Sequence, residues 1–137
     1  MMMHHSNQIV FDINPLPAPR MTQSDKWKTD PNHYDPKKRQ RKCVANYFAY
    51  KTAIQALSLK YKYQLLPELN IVFVLSMPAS WSKKKREKMD GKPHRSRPDI
   101  DNLVKGFMDS MSAEDGFVWN LNAKKYWGDK GEIVILK

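Results

Sequence analysis

The sequence predicts an α+β fold in one domain, with a small sheet packed against two main helices. Three observations carry this. Runs rich in β-branched and aromatic residues occur at 8–13, 69–77 and 131–136, as strands require. Two stretches with helical apolar spacing and no proline lie at 37–59 and 99–111. The chain has 137 residues, 41% hydrophobic and 11% aromatic, which is enough for one modest core and leaves little room for a second.

The elements follow in order. Residues 1–7 are predicted to be disordered. Gln8-Ile9-Val10-Phe11-Asp12-Ile13 reads as a first strand. Pro15, Pro17 and Pro19 then exclude both regular helix and central strand, because each lacks an N–H and fixes φ. Residues 20–36 are polar, with Asp30-Pro31 and Asp35-Pro36 as turn signals, and read as a long loop. In the helix at 37–59, Val44, Tyr47, Phe48, Ala49, Ile54 and Leu57 supply the apolar positions, and Cys43 reads as a small buried residue. Residues 69–77 form a central strand closed by Pro78. Ser80 or Ser82 caps a short basic helix that ends at Asp90-Gly91. The second main helix starts at Asp99 or Ile100, with Leu103, Val104, Phe107, Met108 and Met111 on its apolar face. Gly106 lowers its helix propensity and points to close approach of another backbone. Phe117-Val118-Trp119 and residues 131–136 read as strands, and 124–128 as a strand ending in a turn.

Charge and composition narrow the function. Lys plus Arg number 24 against 14 Asp plus Glu, for a net charge of +10. The cations are clustered. One block is Lys37, Lys38, Arg39, Arg41 and Lys42; the other is Lys83, Lys84, Lys85, Arg86, Lys88, Lys92, Arg95 and Arg97. Such clusters favour a phosphate backbone, whose neutralisation releases condensed counterions, although the first block also suits a solvated helix face. The longest apolar run, Ile71 to Leu75, has five residues, far below the ~18 of a membrane span. One cysteine excludes an internal disulfide, and the N-terminus has no apolar signal segment. A reduced, intracellular setting with no membrane partner is expected.

The segment richest in chemistry is Arg97-Pro98-Asp99-Ile100-Asp101-Asn102-Leu103-Val104-Lys105. Asp99 and Asp101 flank a helix start directly after the densest basic block. Two carboxylates held there suit a hard cation such as Mg²⁺, which offsets charge on a phosphoryl group and orients a water. Lys105, one turn on, suits a phosphate or a leaving oxygen. The same residues also fit an N-cap and an ordinary i,i+4 ion pair. Trp81 suits base stacking or a core anchor, Trp127 reads as a core anchor, and His94 reads as a solvated loop residue.

This segment, with Asp109 after it, resembles the RusA family of Holliday-junction resolvases. The similarity takes in Pro17-Ala18-Pro19-Arg20, residues 77–85, Gly91-Lys92-Pro93-His94 and Lys125-Tyr126-Trp127-Gly128. The resemblance implies a small mixed-sheet α+β homodimer of phage or prophage type. It implies Mg²⁺, or Mn²⁺, and symmetric nicking of four-way DNA junctions in recombination and repair. By resemblance, Asp99 and Asp101 match the first two metal-binding aspartates and Lys105 the catalytic lysine. Arg20, Lys83, Lys84, Lys85, Arg86, Lys92, Arg95 and Arg97 are the expected DNA contacts, and Phe107, Met108 and Met111 the expected dimer surface. The family also places an Asp-Asp pair about twenty residues after the first aspartate. None occurs between Gly116 and Lys125. Glu114 and Asp115 lie upstream, and Asp115 is the nearest substitute ligand. The alternative is therefore a branched-DNA-binding protein with impaired catalysis. A basic RNA-binding domain is a third reading, without the usual RNA-motif aromatics.

Overall fold

The computed structural model describes residues 8–19, 42–111, 114 and 116–137. The expected N-terminal disorder, the loop at 20–36 and the start of the first helix at 37–41 lie outside these residues.

The elements run β1 (Gln8–Phe11), α1 (Lys42–Lys60), β2 (Glu68–Ser76), α2 (Lys83–Met89), α3 (Ile100–Ser110), β3 (Asn120–Gly128) and β4 (Glu132–Leu136). The four strands form one mixed sheet in the order β1-β4-β2-β3. β4 pairs antiparallel with both β1 and β2, while β3 lies parallel to β2. A parallel neighbour needs a crossover, and α2 and α3 lie in that connection.

Strand alternation sets the layers. Leu69, Ile71, Phe73 and Leu75 of β2 are buried, as are Ile133 and Ile135 of β4 and Ile9 and Phe11 of β1. These odd-numbered residues share one face by register. They form a core with Tyr47, Tyr50 and Ile54 of α1 and Leu103, Val104 and Phe107 of α3. Val10, Val72 and Val134 lie in one cross-strand row on the opposite face and are half-buried.

Several expectations change. Phe117-Val118-Trp119 is not a strand; β3 begins at Asn120 and is continuous to Gly128. Pairing with β2 along its whole length outweighs the poor strand propensity of Asn120, Asn122 and Lys124. Phe107 is fully buried in the protomer core and so presents no dimer surface, while Met108 and Met111 pack half-buried against that core. Cys43 and Ala49 are exposed, because α1 buries Val44, Tyr47, Tyr50, Ile54 and Ser58 instead.

Gly106 does allow close backbone approach. A Cβ there would stand 2.8 Å from the Leu16 carbonyl oxygen and 3.3 Å from the Ala18 nitrogen. The proline-rich segment 14–19 thus lies across α3, and Ala18 N donates to Asn102 O at 3.1 Å.

Candidate active site

The head of α3 carries the two predicted acids. Asp99 is the N-cap, with extended backbone at φ −68° and ψ 143°, and its side chain makes no capping hydrogen bond. Asp101 lies in the first turn and is exposed; so is Lys105, one turn on. The positive end of the helix dipole favours carboxylates here. Among the described residues no ion pair joins Asp101 to Lys105. Neither conventional role therefore occupies these side chains. Asp109, another turn on, is drawn toward α1, where the Tyr47 hydroxyl donates to it at 3.0 Å. Burial, and then the Asp109 carboxylate, hold the Tyr47 hydroxyl well above the usual phenol range.

The outer edge of β3 holds the approach to Asp99. Gly91 N donates to Trp127 O at 2.9 Å, Trp127 N to Lys92 O at 3.0 Å and His94 N to Lys125 O at 3.0 Å. Pro93, which has no N–H to give, bridges to Tyr126 between these bonds. Residues 91–94 act as a short antiparallel extension of the sheet. The Lys125 ammonium then donates to the carbonyls of Ser96 and Pro98, each at 2.7 Å. The sequence offered Lys125 only as part of a resembling motif, with no role. Its signal was a lysine on the core-side register of a strand, opposite Phe73.

His94 is 5% exposed rather than a solvated loop residue. Its ring centroid lies 3.9 Å from that of Trp127, and its Nδ1 accepts from Ser96 N at 3.4 Å. Burial and then the neighbouring Lys125 cation lower its pKa below 6.5. Trp127 is a core anchor, as expected. Trp81 is not an open stacking platform. The Lys85 ammonium lies 4.3 Å from its ring centroid and the Trp127 ring 4.7 Å away.

The basic surface is largely available. α2 is capped by Ser82, whose side chain accepts from Lys85 N at 3.2 Å, and it buries no residue. Lys83, Lys84, Lys85, Lys92, Arg95 and Arg97 are exposed. None of them is within ion-pair distance of a carboxylate among the described residues. Arg86 is half-buried and donates to the Pro78 carbonyl at 2.8 Å. An open groove of about 520 Å³ beside α2 includes Lys83 and Arg86 but also Glu87, Asp90 and Asp129. Its charges offset, so the groove itself does not favour a polyanion. Arg20 lies outside the described residues.

The donor set suits a divalent cation only in part. Asp99 and Asp101 offer two carboxylates at one helix head, neither capping nor ion-paired among the described residues, and Mg²⁺ is commonly held by one or two carboxylates plus water and substrate phosphate. Among the described residues no group of three or more His, Cys, Asp or Glu side chains converges to hold a metal. Glu114 is exposed, and Asp115 lies outside the described residues.

The family model described as Endodeoxyribonuclease RusA matches residues 12–136, from the end of β1 through β4. No curated protein matches the chain. The match takes in nearly the whole described fold and both acids at the head of α3, and the chain belongs to the RusA endodeoxyribonuclease family.

Proposed function

We propose that this chain is a divalent-metal-dependent nuclease that nicks four-way DNA junctions as a homodimer. Its family is one of endodeoxyribonucleases that resolve such junctions. The observation that supports this reading for the chain itself is that Asp99 and Asp101, neither capping nor ion-paired among the described residues, lie beside a basic surface that no described carboxylate neutralises. Asp99 and Asp101 would hold Mg²⁺ or Mn²⁺, with Asp115 the first additional candidate. When bound, the metal supplies charge compensation at the scissile phosphate and orients a water. Lys105 stabilises charge at the phosphate or leaving oxygen. Lys84, Lys85, Lys92, Arg95 and Arg97 hold the DNA backbone, joined by Lys83. Arg86 contributes charge from its tether on Pro78, and Arg20 completes the proposed set. Paired nicks need two sites, hence two copies in an intracellular setting.

A second reading is favoured by the absence of a three-ligand cluster among the described residues. In it, the chain binds branched DNA and does not cut. One assay separates the two: a labelled four-way junction with Mg²⁺ or Mn²⁺, beside D101N. The nuclease reading expects paired nicks that fall more than about a hundredfold in the variant, at least the effect of losing one transition-state hydrogen-bond donor. Salt-sensitive binding with no nicks under either metal selects the binding protein. A strictly monomeric species in sedimentation at micromolar concentration would overturn the dimer.

A further inference from the structure

We propose that Lys125 is a positioning residue that fixes Asp99 relative to Asp101. The proposal deepens the nuclease reading and rests on it for its catalytic consequence.

The two acids share α3 but differ in what holds their N-terminal side. Asp101 belongs to the body of α3. That helix packs through Leu103, Val104 and Phe107, and its first turn is pinned to segment 14–19 by the bond from Ala18 N to Asn102 O. Asp99 is the N-cap, so its carbonyl accepts from Leu103 N at 3.1 Å, but its N-terminal side is the end of an irregular approach. That approach is fastened to β3 by backbone bonds only as far as His94. Between His94 and Asp99, the described bonds that tie the chain to the sheet are those of the Lys125 ammonium to Ser96 O and Pro98 O.

Pro98 O belongs to the peptide that leads into Asp99. A charged donor at 2.7 Å makes a short, strong bond, and two such bonds from one ammonium fix both sides of Arg97. The stem of Lys125 leaves β3 beside Trp127, itself buried against His94. The tether therefore starts from a stretch of β3 that is bonded on both sides, to β2 and to residues 91–94. Removing the ammonium leaves Asp101 and the bond from Leu103 N to Asp99 O in place and loosens Asp99 from its N-terminal side. Displacements near 1 Å at reacting groups cost roughly a hundredfold in rate.

The test compares K125M, K125Q and K125R in the full-length protein. K125M keeps the aliphatic stem, K125Q keeps an amide donor, and K125R keeps the cation. Single-turnover nicking at saturating junction should fall roughly 10- to 100-fold in K125M, with junction Kd changed less than about twofold. K125R should recover most of the rate, and K125Q should fall between them. Backbone amide exchange at residues 95–103 should accelerate in K125M and K125Q, while exchange in β2 stays as in the parent. The exchange readout needs neither metal nor cleavage. If the parent protein does not nick, the nuclease reading fails and exchange alone judges the tether. Unchanged exchange at 95–103 overturns the proposal. So does a weaker Kd with a smaller salt dependence and an unchanged saturated rate, which would make Lys125 a DNA contact. Should K125M unfold, K125Q against K125R gives the same comparison.

Discussion

Replacing Gly106 by alanine tests how the N-terminal segment is seated on α3. An alanine inside a helix normally gains about 1 kcal/mol over glycine. Here the added Cβ would meet the Leu16 carbonyl oxygen at 2.8 Å and the Ala18 nitrogen at 3.3 Å. Both are backbone atoms, between prolines at 15, 17 and 19 that limit adjustment. Pro15 is itself buried. The segment must lift, at an overpacking cost of about 1–3 kcal/mol. The bond from Ala18 N to Asn102 O, worth about 1 kcal/mol, is stretched or lost with it. The steric and hydrogen-bond losses exceed the propensity gain, and G106A should be destabilised by about 1–2 kcal/mol, the upper sum being reduced by partial relaxation. For a chain of 137 residues that is a fall in Tm of roughly 3–8 °C. Urea unfolding with an unchanged m-value, together with faster exchange of the Ala18 amide, would match the reasoning. A variant as stable as the parent, or more stable, would refute it, because helix propensity would then outweigh the contact.

Y47F should cost about 1–3 kcal/mol in chemical unfolding, since it removes a part-buried donor to the Asp109 carboxylate; an effect near zero would mean the bond contributes nothing net. S82A should fray α2 by about 1 kcal/mol, read as faster amide exchange at 83–89 with little change in global Tm, because α2 buries no residue. His94 gives a pH dependence. Its folded pKa lies below 6.5, so the unfolded chain takes up the proton first, and stability present above pH 6.5 is lost as pH falls toward the lowered folded value. Ser96, Trp127 and the Lys125 cation are the groups placed against it. H94Q should flatten the fall of Tm between pH 7 and 5.5, and an identical slope would count against the assignment.

The sequence by itself determined the parts whose signal is local. Runs rich in β-branched residues placed β2 and β4, and the apolar spacing of Leu103, Val104 and Phe107 placed α3 within a residue of its observed start. The cap of α2 was legible as Ser80 or Ser82, and the fold uses Ser82. Asp99 and Asp101 were legible because a proline, two acids and a helix start fall together in nine residues. Gly106 was legible as a breach of helix propensity that a packed backbone resolves. Tertiary structure decided what depends on partners distant in the chain. β3 extends to Asn120 because β2 supplies a parallel ladder for it, which no residue in 120–124 advertises. His94 and Cys43 exchanged their expected environments: the sheet edge buries the histidine under Trp127, and the rotation of α1 turns the cysteine outward. Lys125 looked like one more cation in a basic chain. Its two bonds to Ser96 and Pro98 span 29 and 27 residues, a separation that only the folded sheet closes.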